Sequence, residues 1–107
     1  MIIGNGLNTF ELTGGDAEMV LGLNINAAYP NPFNPVTNLE YTLSQAGDVE
    51  IIVYDIMGRH VDTIYNGFLT NRVHSMSWDA SSKSSGIYYI QVKSNNTIKT
   101  EKVVLMK

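Results

Sequence analysis

The 107-residue sequence has no cysteine, which excludes disulfides and thiolate metal sites. That absence fits a reducing compartment as well as a secreted protein that avoids thiols. Charge is sparse: Asp, Glu, Lys and Arg make up 16% of the chain, against about a quarter in ordinary globular proteins. Its polar surface must come from Asn, Ser, Thr and Gly, a composition that suits extracellular β proteins. The seven Lys and Arg never stand side by side and the net charge is −3. A nucleic-acid interface needs a basic patch to neutralise phosphates, so no nucleic-acid partner is expected. No apolar run approaches the roughly 18 residues of a membrane-crossing helix, so no transmembrane segment is expected. Met1-Ile2-Ile3-Gly4 lacks the basic start and long apolar stretch of a signal peptide. Sustained 3.6-residue periodicity is missing throughout, and there is no internal repeat.

What remains is alternation with a period of two, the signature of strands with one buried face. Residues 9–13 give one marginal strand. Leu21, Leu23 and Ile25 share a face, as do Leu39, Tyr41 and Leu43. Val49, Ile51 and Val53 alternate with Glu50, Ile52 and Tyr54, so that strand is apolar on both faces and belongs at the centre of a sheet. A short strand is expected around Val61–Tyr65, and another where His74, Met76 and Trp78 alternate with Val73, Ser75 and Ser77. Ile87–Val92 is rich in β-formers, and a last strand runs from about Ile98 to Met106. Turn signals separate these runs: Asp55-Ile56-Met57-Gly58, with Gly58 at a positive φ, then Asn66-Gly67, Ser81–Gly86 and Asn95-Asn96. About seven short strands with turns every 8–12 residues predict an all-β antiparallel sandwich, immunoglobulin-like in class.

All three prolines fall within Tyr29-Pro30-Asn31-Pro32-Phe33-Asn34-Pro35. Proline fixes φ, lacks a donor and pushes its predecessor towards extended geometry. The segment is therefore neither helix nor central strand. It reads as a stiff connector, with Tyr29 and Phe33 as its anchors.

Chemistry is thinly represented. His60 and His74 stand in no metal-ligand spacing; His74, alternating with Met76 and Trp78, reads as packed and hydrogen-bonded, and His60 as exposed. Asp55 and Asp79 open loops, where aspartate commonly caps the turn through its side chain. A calcium site in the sandwich loops is a minor alternative, since no Asp-x-Asp-x-Asp loop occurs. There is no nucleophile elbow, phosphate loop or dinucleotide fingerprint. The expectation is a non-enzyme without cofactors.

The order of motifs is more specific than any of them alone. Tyr29-Pro30-Asn31-Pro32-Phe33-Asn34-Pro35 is followed by Thr37-x-Leu39-x-Tyr41-x-Leu43, then Val53-Tyr54-Asp55-x-x-Gly58-Arg59. His74-x-Met76-x-Trp78-Asp79, Ser85-Gly86-Ile87-Tyr88 and Lys102-Val103-Val104-Leu105-Met106-Lys107 complete the set. Together these closely resemble the C-terminal sorting domain of type IX secretion cargo, over residues 29–107. The resemblance implies a seven-stranded immunoglobulin-like sandwich at the end of secreted proteins of Bacteroidetes and related phyla. It implies an outer-membrane translocon and a surface sortase as partners, passage through the periplasm, and release or attachment at the outer-membrane surface. It also implies that Lys102 to Lys107 carry much of the translocon recognition, and that cleavage falls within residues 22–28. Residues 1–28 would then be the end of the cargo, a linker or an N-terminal strand arm.

Two other functional classes compete. Residues 1–28 could donate a strand to a neighbouring copy and build an oligomer or filament. Alternatively, exposed Tyr and Trp side chains could form a carbohydrate-binding platform. That second alternative requires an accessible Trp78.

Overall fold

The computed structural model describes residues 23–107, and within them every regular element is a strand. The marginal strand expected at residues 9–13 lies outside the described residues. Seven strands follow one another: β1 Leu23–Tyr29, β2 Val36–Leu43, β3 Gly47–Asp55, β4 His60–Leu69, β5 Val73–Asp79, β6 Gly86–Ser94 and β7 Thr97–Leu105. They form a three-stranded sheet in the order β1-β2-β5 and a four-stranded sheet in the order β4-β3-β6-β7. All strand pairs are antiparallel. The expected all-β sandwich is what forms.

The inner faces carry the alternating residues. Leu39, Tyr41 and Leu43 of β2 face Val49, Ile51 and Val53 of β3, Ile90 and Val92 of β6 and Val103 and Leu105 of β7 in one cluster. Each of these side chains is at most 1% exposed, so each contributes about 1.5–3 kcal/mol of burial free energy. β3 lies between β4 and β6, the central place that its two apolar faces predict. Burial pushes the Tyr41 phenol up to about 12, with Tyr65 adding a smaller charge repulsion. Tyr41 therefore stays neutral within the core well above the ordinary phenol range.

Three local expectations change. Asn66-Gly67 is not a turn: β4 runs through it, with Asn66 opposite Glu50 and Gly67 opposite Val49. The glycine serves packing instead, because a Cβ there would meet the Tyr65 hydroxyl at 3.0 Å. That hydroxyl donates to the Phe68 carbonyl at 3.1 Å and lies across the strand. The second change concerns Tyr29, which is 60% exposed, while Phe33 is 2% exposed; only Phe33 anchors the proline segment. Third, β1 extends to Tyr29 opposite Asn38, across an irregularity between Ile25 and Ala27. The expected division at residue 28/29 thus falls at the end of a paired strand, and the window expected for cleavage lies largely within it.

Candidate functional site

The proline segment crosses from the three-stranded sheet to the outer edge of β7. Phe33 forms an isolated parallel bridge with Leu105. Its amide donates to the Val104 carbonyl at 2.9 Å, and its carbonyl accepts from the Met106 amide at 3.0 Å. Two residues earlier, the Asn31 side chain continues the same ladder. Its Nδ2 donates to the Lys102 carbonyl at 2.9 Å, and its Oδ1 accepts from the Val104 amide at 3.0 Å. A primary amide carries one donor and one acceptor in the geometry of a peptide group, so Asn31 imitates a strand residue where the prolines supply no N–H. Thr37, fully buried, holds the connector from below by donating Oγ1 to the Pro30 carbonyl at 2.8 Å. The peptide bonds before Pro30, Pro32 and Pro35 are cis. Asn34 is exposed, and the Pro35 carbonyl accepts from the Ala80 amide at 2.9 Å.

Beneath this clasp lies an aromatic stack. Phe33 and Trp78 have ring centroids 5.6 Å apart, and Trp78 and Tyr88 meet edge-on at 5.3 Å. Trp78 is 3% exposed, and its Nε1 donates to Asp62 Oδ2 at 3.0 Å. The Tyr88 hydroxyl donates to the Ser84 carbonyl at 2.6 Å, just before Gly86 opens β6. Trp78 is therefore a core residue and not part of a carbohydrate platform. Tyr54 lies on the other face of β3, edge-on to His60 at 6.5 Å and opposite Tyr89.

Asp55 and Asp79 cap the loops at the same end of the sandwich. Asp55 Oδ1 accepts from the Met57 and Arg59 amides, each at 2.9 Å, and Oδ2 accepts from Arg59 Nε at 2.9 Å. The hairpin closes with Gly58 at φ +81° and its amide donating to the Asp55 carbonyl at 2.9 Å. The Arg59 amide, ahead of its guanidinium and the Met57 amide, holds the Asp55 carboxyl below its ordinary value of 3.8. Asp79 is lowered in the same direction, first by the Ser81 hydroxyl and then by the Ser81 amide. A carboxyl whose folded value is depressed stabilises the fold above its unfolded value, and that stability is lost as pH falls through the folded value. Stability should therefore decline from about pH 3.8 downward. The decline should be shallower in Asp55→Asn, as read by urea midpoints between about pH 5 and 2. An identical acid slope in the variant would count against the cap.

The last residues are pinned across this end. The Lys107 amide donates to Ser85 Oγ at 3.0 Å, and Lys107 Nζ donates to the Ser81 carbonyl at 2.6 Å. The hairpin loop and the serine loop enclose an open cleft of about 510 Å³, lined by Asp55, Arg59, Lys83 and Tyr88 among others. Among the described residues, no group of three or more His, Asp or Glu could hold a metal ion. No helix there is long and apolar enough to cross a membrane.

The structure thus brings together Asn31, Phe33, Trp78 and Tyr88, with Val104 and Leu105 under their clasp. Val103 points into the core, while Lys102 and Met106 lie exposed. β7 is an outer strand of its sheet, and residues 31–33 occupy its edge from Lys102 to Met106. Sequence reasoning missed Asp62 as the Trp78 partner and Thr37 as the support of Pro30. No local signal marks Asp62, which lies 16 residues before Trp78.

Comparison with known proteins adds identity to this geometry. The family described as secretion system C-terminal sorting domain matches residues 27–106. No curated protein matches the chain. Among solved structures, dimeric latent PorU from Porphyromonas gingivalis is similar, with a TM-score of 0.63 and 17% identity. The similarity covers 91% of this chain and 10% of that one, and shows a shared fold. The chain therefore spans about a tenth of the length of that protein.

Proposed function

The chain belongs to the family of secretion-system C-terminal sorting domains, and from this we propose that an outer-membrane type IX translocon reads it as a folded export tag and a surface sortase then acts on it. Family membership makes it a sorting signal, destined for secretion or cell-surface attachment. The family match over residues 27–106 is the observation that carries the reading. In this reading the folded unit includes β1, because β1 is paired with β2 from Leu23 to Tyr29. The cargo end or linker then lies before Leu23. Passage runs through the periplasm, and no catalytic step is assigned to the domain itself.

A fusion tests the proposal. The full chain is attached behind a periplasmic reporter in a type IX-competent host. The reporter should reach the cell surface or medium, and should stay in the periplasm of a strain lacking the translocon. Retention in the competent strain, alongside export by an established tag, would refute the assignment.

A further inference from the structure

The hairpin between β3 and β4 ends in two large apolar side chains that the fold leaves uncovered. Ile56 is 65% exposed and Met57 is 73% exposed. A single exposed apolar residue is ordinary, but these two are adjacent and held in a fixed place. Asp55 accepts from the Met57 and Arg59 amides, and the Gly58 amide closes the turn on the Asp55 carbonyl. None of these bonds needs an apolar side chain at 56 or 57, and turns commonly carry polar residues there. The tip also projects, since a Cβ added at Gly58 would meet nothing within 4 Å. Met106, 59% exposed, stands at the same end of the sandwich, beside the pinned Lys107.

Cations surround this tip. Arg59 follows it, Lys83 lines the adjoining cleft, and Lys107 reaches the serine loop. Arg59 uses its Nε on Asp55, and its side chain is 76% exposed against 19% for Asp55. The guanidinium therefore faces outward and the carboxylate inward. Lys83 Nζ makes only a long contact of 3.4 Å to the Val61 carbonyl, and Lys107 Nζ donates to the Ser81 carbonyl. Carbonyl partners leave both charges in place. The carboxylates at this end are Asp55, Asp62 and Asp79, and each is turned to donors of the fold. Asp62 accepts from Trp78 Nε1 and the Thr63 amide, and Asp79 accepts from the Ser81 amide. The charge presented beside Ile56 and Met57 is thus positive. Asp48 and Glu50 lie at the far end of β3, in the cleft with Asn95 and Asn96, so the sheet is polarised along its strands.

We propose that this end of the sandwich docks non-covalently on an anionic lipid surface, with Ile56 and Met57 inserted below the headgroups and Arg59, Lys83 and Lys107 engaging headgroup phosphates. A stable protein interface has a broad, packed apolar core. Two side chains on a projecting turn, ringed by cations, instead fit a fluid surface that closes around them. Apolar burial and attraction to anionic headgroups then act together, and the long stems of Arg59 and Lys83 bridge the two levels. The acidic far end of the sheet points away from the membrane in this orientation. The inference does not rest on the export role, and its test needs no secretion host.

The purified full chain should co-sediment with vesicles of phosphatidylcholine containing about one-third phosphatidylglycerol, and should bind pure phosphatidylcholine about tenfold more weakly. Ile56→Ser and Met57→Ser should each weaken binding to the anionic vesicles about tenfold. Lys83→Gln should weaken it about fivefold, and raising salt from about 0.05 M to about 0.5 M should weaken it further. Melting midpoints should hold in all three variants, because none of these side chains packs in the core. Met57→Trp reports insertion directly: its emission should move to the blue on the anionic vesicles, while the buried Trp78 gives the parent chain no such shift. A chain that binds neither vesicle would overturn the proposal and favour a protein partner for the tip. Binding that survives both serine substitutions, or a Met57→Trp emission unmoved in the bound state, would also overturn it. So would displacement from the vesicles by inorganic phosphate at constant ionic strength, which would make the cleft a site for free phosphate.

Discussion

Replacing Trp78 with alanine should destabilise the domain by about 3–5 kcal/mol, a large-to-small change at a packed core position. Trp78 is 3% exposed and lies between Phe33 and Tyr88. Removing it opens a cavity beneath the clasp and strips Asp62 of its indole donor. Domains of this size hold about 5–15 kcal/mol in total, so the variant loses a large fraction of its stability. At about 4–8 °C per kcal/mol, the melting midpoint should fall by roughly 12–40 °C. Trp78→Phe keeps most of the packing and loses the hydrogen bond, so it should cost only about 1–2 kcal/mol. The difference between the two variants separates ring packing from the Asp62 bond. A Trp78→Ala chain that melts within a few degrees of the original would show that the stack contributes little. Because Phe33 shares the contact, Phe33→Ala and Trp78→Ala should be less than additive, with a coupling of about 0.5–1.5 kcal/mol.

The stack also shows what a sequence reveals and what it conceals. Alternation located β2, β3, β6 and β7 because one buried face imposes a period of two on residues such as Leu39, Tyr41 and Leu43. It also placed β3 at the centre of its sheet, since Ile52 and Tyr54 add apolar surface on the second face. The length of β4 was illegible, because Asn66-Gly67 carries turn chemistry that pairing with β3 overrides. The proline segment was readable as a non-strand connector from proline's missing donor alone. Its destination was not: Asn31 meets Lys102 and Val104 across 71 and 73 residues of chain. An amide that imitates a peptide group leaves no periodic trace. The Asp55 cap was legible because both of its partners lie within four residues. Contacts set by local geometry are written in the sequence, while those set by sheet closure emerge only in the fold.

That distinction bears on how the terminal strand should be tested. Deleting Val103–Lys107 is expected to abolish folding itself. Val103 is 0% exposed and Leu105 is 1% exposed, and each large-to-small loss of this kind costs about 2–5 kcal/mol before any hydrogen bond is counted. The deletion also removes the pairing of Gly86, Ile87 and Tyr88 with β7 and strips the clasp of every bond but that of Asn31 Nδ2 to the Lys102 carbonyl. Together these losses match or exceed the total stability of such a domain. The purified chain should lack a cooperative melt, and Trp78 fluorescence should shift to the red as the indole meets water. Failure of this deletion to export would therefore follow whether the translocon reads the strand or merely requires a fold. Lys102→Glu separates the two readings, because Lys102 is exposed and its side chain carries none of the contacts that hold the sheet. The substitution should change stability by no more than about 0.5 kcal/mol. If the outward side chains of β7 are read, export of the reporter fusion should fall several-fold while the melting midpoint holds. A cooperative melt in the truncated chain would contradict the first expectation, and undiminished export of Lys102→Glu would remove that side chain from the recognised surface.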